Sequence, residues 1–265
     1  MKNFRLATLI VIASIAFMLT SNIEVKAMEM SDSSSDKAMA DKKAMADKKA
    51  MADKKAMADK KAMADKKAMA DKKAMADKKA MSVGGVDLST ASPVLGASDA
   101  KITIIEFGDY QCPKCDQWFL NVKPDIESEY ISKNVVNLYY VDFPFLGSDS
   151  ELASAATYCA DEQGKYWEYH SALYKNQGGI QSGWANSDAL KKFASDVGLD
   201  TEKFNKCLDS GQYSDRVKQN KQVGTSSGVA GTPTFLLVGQ NGKTEKIVGP
   251  QPSAAFASTI EKLLK

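Results

Sequence analysis

The sequence has a single histidine and four cysteines, and none of its 12 methionines lies beyond Met81. It also lacks a strong charge of one sign. The net charge of +2 excludes a dedicated nucleic-acid-binding protein, which would carry a strongly basic face. The whole-chain charge hides two unlike parts: residues 1–81 hold 18 Lys and Arg against 11 Asp and Glu, whereas residues 82–265 hold 17 against 22. All cysteines, all tryptophans and the histidine lie in the second part, whose roughly 180 residues are enough for one buried core.

The first 27 residues have the layout of a secretory signal peptide. Lys2 and Arg5 precede an apolar run at residues 6–19, and VKA at residues 25–27 resembles a cleavage site. The alternative is an uncleaved membrane anchor, although 14 apolar residues are fewer than the ~20 of a typical span. No cysteine lies near the cleavage site, which argues against a lipoprotein. In both cases we expect an extracytoplasmic protein, secreted or held in the cell envelope, where disulfides persist.

Residues 28–81 form a low-complexity segment dominated by the hexapeptide DKKAMA, which is repeated without error from Asp41 through Ala76. Alanine, methionine and lysine favour helix. Because six residues advance about 240° around a helix, successive methionines make no single apolar stripe to bury. We therefore interpret the segment as a solvated stalk, helical or disordered. The alternative is a copper or oxidant sink, because thioethers are soft ligands that select Cu(I) and are readily oxidised.

The remaining chain alternates strand and helix patterns. Residues 82–98, rich in glycine, serine and proline, are expected to be a flexible linker into a domain at 99–265. Within it, β-branched runs predict strands and longer mixed segments predict helices, with a kink at Pro124 and a helical insertion at about 149–228. The predicted strands are 101–107, 135–143, 234–238 and 243–248, and the predicted helices are 116–130, 151–163, 166–175, 187–197, 201–210, 214–226 and 252–264. This order predicts an α/β fold with a parallel βαβ unit.

The first predicted helix begins with the motif Cys112-Pro113-Lys114-Cys115. A C-x-x-C at the start of a helix, directly after a strand, is the arrangement of a redox centre. Unpaired N–H groups and the helix dipole favour a thiolate at Cys112, which makes it the attacking sulfur. Cys115, one turn deeper, is the natural resolving thiol. Pro113 suits the first helical position, and Lys114 adds a positive charge beside the thiolate.

Two other interpretations of the motif are weaker. A structural zinc site needs four ligands, and the available Cys159, Cys207 and His170 are scattered along the chain. A purely structural disulfide across so small a loop would gain little entropy on closure. We therefore expect a redox pair with no metal and no cofactor. His170 is interpreted as a packed helix residue, and Trp118 and Phe119 as core rather than as a substrate groove.

The chain resembles the DsbA-like disulfide oxidoreductases of the thioredoxin superfamily over about residues 87–265. The resemblance is carried by EFGDYQCPKC at residues 106–115, by GTPTF at residues 231–235 and by the helical insertion between them. It implies a thioredoxin-like fold with a helical insertion. It also implies that Pro233 is a cis-proline facing the active disulfide, with the backbone at Thr232 free to pair with a substrate strand. Glu106 would be a buried acid that accepts or transfers a proton near Cys115, the alternative being a solvated strand carboxylate.

The other two cysteines, Cys159 and Cys207, lie on different predicted helices of the insertion. We interpret them as a structural disulfide that fastens the insertion, with a second redox or relay pair as the alternative. Some relatives carry a comparable second pair, which fits the structural interpretation. Lys114 stands where the best-known family member has histidine, so we expect an oxidising protein less extreme than the strongest oxidants.

The predicted function is thiol-disulfide exchange in extracytoplasmic proteins through Cys112 and Cys115. The expected partners are reduced or partly unfolded client proteins and a membrane quinone-linked protein that reoxidises the pair; no nucleic-acid partner is expected. The N-terminus offers a possible membrane association, and we expect a monomer. Two alternatives remain. One is a disulfide isomerase or reductase, of which the isomerase is disfavoured because the array replaces a packed N-terminal dimerisation domain. The other is a copper-handling envelope protein that uses the methionine array.

Overall fold

The computed structural model describes residues 81–265 and, in the repeat array, Lys37, residues 39–55 and four further positions up to Met63. The expected signal peptide or anchor and most of the array's second half lie outside the described residues. The described array positions are helical (α1) and exposed, with 70% of Met39 and 76% of Met57 accessible to solvent. An array without an apolar stripe has no face to bury, which accounts for this exposure. None of the helices among the described residues has both the length and the apolar character that a membrane span requires.

The segment 82–98 differs from the flexible linker that the sequence predicts. It begins with the hairpin β1 (Ser82–Val83) and β2 (Val86–Asp87), and it then runs along an edge of the main sheet. Val86, Leu88 and Ala91 are buried, and the guanidinium group of Arg216 donates hydrogen bonds to backbone carbonyls in the segment. Burial of these apolar side chains outweighs the flexibility that the glycine and serine content favours.

A four-stranded sheet organises the second unit of the chain. The strands are β3 (Ile102–Gly108), β4 (Val136–Asp142), β5 (Thr234–Gly239) and β6 (Thr244–Val248), and their spatial order is β4-β3-β5-β6. β3 runs parallel to β4 and antiparallel to β5, and β5 pairs antiparallel with β6. The parallel βαβ unit is therefore as the sequence predicts, and the four predicted strands are all present. The register places Glu106 between Tyr140 on β4 and Phe235 on β5.

The connection from β3 to β4 is helical but interrupted. Helix α2 (Pro113–Asn121) is followed by α3 (Lys123–Ile126) and a π-helical turn (Glu127–Ile131). The predicted kink at Pro124 is thus a break at Val122, because proline lacks the N–H that would continue the helical hydrogen bonds. Pro113 occupies the first turn of α2, where its missing N–H costs nothing.

Five helices form the insertion, and their bounds agree with the predicted segments to within three residues. They are α4 (Ser148–Asp161), α5 (Tyr166–Lys175), α6 (Ser187–Asp196), α7 (Thr201–Ser210) and α8 (Ser214–Ser226). The side chains of Asn186 and Asp200 cap α6 and α7 by accepting backbone N–H bonds, and Gly211 ends α7 in the left-handed conformation. A disulfide between Cys159 and Cys207 joins α4 to α7.

The core lies on both faces of the sheet. Ile102 and Ile104 face Trp118 of α2 and Phe256 of the last helix, α9 (Ser253–Leu263). The alternate residues of β3 pack against the 82–98 segment and α8. The third cluster joins Cys112 and Cys115 to the buried residues of the insertion. The insertion therefore covers the redox motif from one side.

Candidate active site

The two cysteines of the motif stand at the beginning of α2. Cys112 is the residue that precedes the helix, with an extended backbone (φ −77°, ψ 117°), and Cys115 lies in the first turn. Both are free thiols, with 6% of Cys112 and none of Cys115 accessible to solvent. The exposed helix end therefore presents Cys112 to the surface and keeps Cys115 behind it.

The surroundings of Cys112 favour its thiolate. The pKa of this thiol is lowered from 9.0 to about 6, chiefly by a hydrogen bond from the Cys115 side chain and despite partial desolvation, which raises it. Thr232 and the backbone N–H groups of Cys115 and Lys114 contribute further hydrogen bonds. A thiol with this pKa is about nine-tenths thiolate at pH 7, against about one-hundredth for an ordinary cysteine.

Cys115 has the opposite bias. Its complete burial raises the pKa of its thiol well above 9.0, and the hydrogen bond and charge of Cys112 and the charge of Glu106 raise it further. A backbone hydrogen bond from Asp109 opposes this shift. The motif therefore holds one reactive thiolate and one thiol that strongly retains its proton.

The loop before β5 faces Cys112. The Thr232–Pro233 peptide bond is cis, and the thiol of Cys112 lies 3.5 Å from the carbonyl oxygen of Thr232, which accepts its hydrogen bond. Among the described residues the Thr232 hydroxyl has no hydrogen-bond partner, so it is free to donate to the sulfur once Cys112 is ionised. This loop continues into β5 and pairs with Gly249, whose N–H donates to the Pro233 carbonyl over 2.8 Å.

Glu106 is a buried acid on β3, and only 1% of it is exposed. Desolvation raises its carboxyl pKa from 4.5 to about 8, while the nearby Lys123 ammonium lowers it and the charge of Cys112 raises it. Its two carboxyl oxygens have no hydrogen-bond partner among the described residues. At pH 7 most of this group is protonated, so it can donate a proton at neutral pH.

Lys123 is a buried cation that the sequence analysis did not single out. Its side chain is 6% exposed and its Nζ lies 2.5 Å from a carboxylate oxygen of the partly exposed Glu127. The ammonium group also lies over the rings of Phe119, at 5.3 Å, and Trp167, at 5.8 Å. A lysine on a helix is ordinarily solvated, and the burial of this one depends on Trp167, which is distant in sequence.

An aromatic cluster lies beneath the cysteines. The hydroxyl groups of Tyr140 and Tyr174 are 3.0 Å apart, and the Tyr110 hydroxyl lies 2.9 Å from Nδ1 of His170. All four side chains are buried, and burial lowers the pKa of His170 well below 6.5, so the imidazole is neutral. His170 is thus a packed helix residue within hydrogen-bonding distance of one tyrosine.

The other residues singled out in the sequence fall into two groups. Lys114 is exposed at the start of α2, and its contribution to Cys112 comes from its backbone N–H. Trp118 is core, with its ring tilted against that of Phe235 at a centroid distance of 4.7 Å, and Phe119 is buried and stacked on Tyr174 at 4.9 Å. Within the described residues, His, Cys, Asp and Glu side chains do not gather into a group of three or more that could hold a metal ion.

Asp109 has the sequence context of an ordinary loop carboxylate, yet it is fully buried. Its carboxylate accepts hydrogen bonds from three backbone N–H groups, those of Gln111, Phe145 and Leu146. Gln111 is also fully buried. The only feature of the sequence that could have singled out these two residues is their position just before the C-x-x-C motif.

Comparisons with known proteins agree with this geometry. A family model described as thioredoxin matches residues 88–262. Disulfide bond formation protein D of Bacillus subtilis is 28% identical over 187 residues, which cover 69% of this chain and 82% of that protein. A Bacillus cereus protein named "Probable disulfide bond formation protein D" is 34% identical over 149 residues, 55% of this chain and 69% of that protein.

Solved structures give the same picture. The oxidised crystal structure of BdbD from Bacillus subtilis is 27% identical, with a TM-score of 0.61, and the match covers 68% of this chain and 95% of that one. Wolbachia pipientis alpha-DsbA1, at 22% identity and a TM-score of 0.60, shares the fold. The chain therefore belongs to the thioredoxin family and is a DsbA-like protein disulfide oxidoreductase.

Proposed function

We propose that the chain is an exported oxidant of protein thiols in which Cys112 exchanges disulfides with clients and Cys115 resolves them. The observation that carries this proposal is the placement of the two sulfurs. Cys112 stands at the open end of α2 beside the Thr232 carbonyl, and Cys115 is buried one turn below. Only one sulfur is thus within reach of a protein-sized substrate.

The exchange begins from the oxidised Cys112–Cys115 pair. A client thiolate attacks Cys112 Sγ, so that a client–Cys112 disulfide forms, the Cys112–Cys115 bond breaks and Cys115 leaves as a thiolate. A second client thiolate then attacks the client sulfur of this mixed disulfide and releases Cys112 as a thiolate. The client has lost two electrons and the redox pair has gained them. The low pKa of Cys112 makes it a good leaving group in the second step.

Glu106 supplies the proton that the first step requires. Cys115 leaves as a thiolate in a site that raises its pKa well above 9.0, so it must be protonated at once. Glu106 is protonated at neutral pH, with a pKa of about 8, and the charge of its ionised form raises the pKa of the Cys115 thiol, so it is the acid that we assign to this step. In the reverse direction the same carboxylate accepts the proton.

The cis-proline loop gives the client its orientation. An extended client segment would pair with the backbone at Thr232 and thereby bring its cysteine to Cys112, as strands add to an exposed edge. Pro113 sets the start of α2, and Lys114 supports the thiolate through its backbone N–H. The Cys159–Cys207 disulfide is a structural brace of the insertion rather than a relay, because it joins α4 to α7, two helices of the insertion, while Cys112 and Cys115 remain free thiols.

The oxidised pair must be regenerated after each cycle. A membrane quinone-linked partner is the expected electron acceptor, and the protein acts outside the cytoplasm on reduced or partly unfolded clients, as a monomer. A reductase with the same motif would differ in its reduction potential, which would be closer to that of thioredoxin at about −270 mV.

The experiment that tests this function compares the parent chain with Cys112→Ala and Cys115→Ala in oxidising a reduced, unfolded test protein. We expect Cys112→Ala to be inactive. We expect Cys115→Ala to accumulate a mixed disulfide when it is presented with an oxidised client, because the resolving thiol is gone. A Cys112→Ala variant that oxidises the test protein at the parent rate would overturn the proposal.

A further inference from the structure

Two fully buried polar residues, Asp109 and Gln111, directly precede Cys112, and the exchange mechanism does not use their side chains. The Asp109 carboxylate accepts from the N–H of Gln111 through Oδ1, over 2.9 Å. Its Oδ2 accepts from the N–H groups of Phe145, over 2.9 Å, and Leu146, over 3.1 Å. Asp109 thus connects the cysteine loop to the chain that leaves β4, which we call the Phe145 loop (residues 143–147).

Gln111 makes a second set of connections. Its Nε2 donates to Ser150 Oγ over 2.8 Å, at the start of α4. Its Oε1 accepts from the backbone N–H of Gln181 over 2.7 Å. Gln181 belongs to the connection between α5 and α6, which we call the Ile180 loop (residues 177–183). A single glutamine side chain therefore joins the cysteine loop to both neighbouring segments.

The Ile180 loop is held in a conformation that needs such support. Gln181 has a φ of 53°, in the left-handed region that a residue with a side chain rarely adopts. Its side-chain Nε2 donates to Leu146 O over 3.2 Å, which joins the Ile180 loop to the Phe145 loop. At the other end, Gln177 Nε2 donates to the carbonyl oxygens of Tyr110, over 2.6 Å, and Cys112, over 3.2 Å.

Both loops carry a large apolar side chain in solvent. Phe145 is 47% exposed and Ile180 is 49% exposed, although both belong to segments tied to the cysteine loop by buried hydrogen bonds. Leu146, next to Phe145, packs against the buried cluster that contains Cys112. Satisfied buried polar networks fix one arrangement of the chain. The network thus fixes two exposed apolar groups relative to the reactive sulfur.

We propose that Asp109 and Gln111 are positioning residues for exchange with protein clients. They hold Phe145 and Ile180 where these contact apolar side chains that flank a client's cysteine. This inference rests on the proposed role of Cys112. The occupant is an extended, unfolded polypeptide segment, because a chain that has not folded exposes apolar residues next to its cysteines. The Gln111 side chain makes no hydrogen bond to Cys112 Sγ, whose partners are Thr232, Cys115 and the backbone of Lys114.

Because Gln111 does not contact the reactive sulfur, its replacement should affect the reaction with a protein client and spare the reaction with a small dithiol. Gln111→Met keeps the side-chain length and removes the hydrogen bonds to Ser150 and Gln181. For a reduced, unfolded protein we expect its KM to rise and kcat/KM to fall by about 10-fold to 100-fold, as for a misplaced substrate. For a small dithiol, which is too short to reach the two loops, we expect the parent rate. The reduction potential of the cysteine pair stays at its parent value.

Gln163→Met is the matched control. Gln163 also bridges two segments, since its Oε1 accepts from the Asp200 N–H over 2.8 Å and its Nε2 donates to the Asp200 carbonyl over 3.2 Å. It joins the ends of helices in the insertion and has no contact with the cysteine loop. We expect it to lower stability without changing KM for the unfolded protein. The inference would be overturned if KM for the unfolded protein rose equally in Gln111→Met and Gln163→Met. It would also be overturned if Gln111→Met lost as much activity toward the small dithiol as toward the unfolded protein.

A second variant keeps the inference testable if Gln111→Met fails to fold. Phe145→Ser with Ile180→Ser changes only half-exposed side chains and should reproduce the rise in KM. Leu264→Ser, at a 44% exposed leucine after α9, is its control. Parent-like KM in the double variant contradicts the inference. A different result would contradict the proposed function, namely a parent chain that does not oxidise the unfolded protein at all.

Discussion

Replacing Glu106 by glutamine should stabilise the folded protein in a pH-dependent way. The carboxyl pKa is raised from 4.5 to about 8 by burial, so the folded state disfavours the ionised form that the unfolded state prefers above pH 4.5. The folded protein therefore has its full stability below pH 4.5 and loses it progressively as the pH rises through about 8. The amide of the Glu106→Gln variant carries no charge at any pH, so the variant avoids this loss.

The size of the effect follows from the shift. At pH 7 the raised pKa lowers the free energy of unfolding by about 3 kcal/mol, and at pH 4 by almost nothing. For a domain of this size, about 3 kcal/mol corresponds to an increase of about 6–12 °C in Tm for the variant at pH 7. The free energies of unfolding of parent and Glu106→Gln, in the same redox state, are to be measured by denaturant titration at pH 4, 6, 7 and 8.

The control is Glu261→Gln, which makes the same substitution at an exposed position of α9. A stability difference between parent and Glu106→Gln that is the same at pH 4 and pH 8 would refute the reasoning. The variant should also oxidise an unfolded client more slowly, by about 10²-fold if Glu106 acts as the general acid for Cys115. If Glu106→Gln is more stable than the parent and also oxidises the client more slowly, then Glu106 serves the reaction at a cost in stability.

Two further predictions concern the cysteines. In the reduced protein, thiolate absorbance should rise with a midpoint near pH 6 and disappear in Cys112→Ala, while Cys115 stays protonated through pH 9; a parent midpoint near 9 would contradict the site electrostatics. Since the pKa of Cys112 is lowered, the reduced protein's extra stability is present above pH 9 and falls as the pH drops through about 6. Replacing Cys159 and Cys207 together by alanine should lower the free energy of unfolding by about 4 kcal/mol, because the disulfide closes a loop between residues 48 positions apart and so restricts the unfolded chain. The Cys112 midpoint should stay unchanged. Unaltered stability would show that this disulfide does not stabilise the insertion.

The elements of the fold could be predicted because their sequence signals are local. β3 is a β-branched run, α2 begins at a proline after a strand, and the helices of the insertion are amphipathic segments separated by glycine, serine and asparagine. The prediction of a flexible linker at 82–98 is wrong because glycines and serines dominate the local signal there. The order of this segment comes from distant partners, such as Arg216 on α8, which donates to the carbonyls of Thr90 and Ala91.

The same distinction applies to the site. The C-x-x-C motif and GTPTF are short and specific, so Cys112, Cys115 and Pro233 could be singled out. Lys123 and Asp109 could not, because what makes them special is contact with residues far along the chain. Trp167 lies 44 positions from Lys123, and Phe145 lies 36 positions from Asp109. No local pattern distinguishes a buried lysine or aspartate from a solvated one.

The central claim is that the Cys112–Cys115 pair accepts electrons from client thiols. Its most direct test is the reduction potential of the parent chain, obtained by equilibrating the pair with glutathione at pH 7. Lowering the pKa of Cys112 from 9.0 to about 6 favours the reduced pair by a factor of about ten at pH 7, or at most about 30 mV. The account predicts a potential closer to about −120 mV than to about −270 mV, and a value at or below about −270 mV would contradict it.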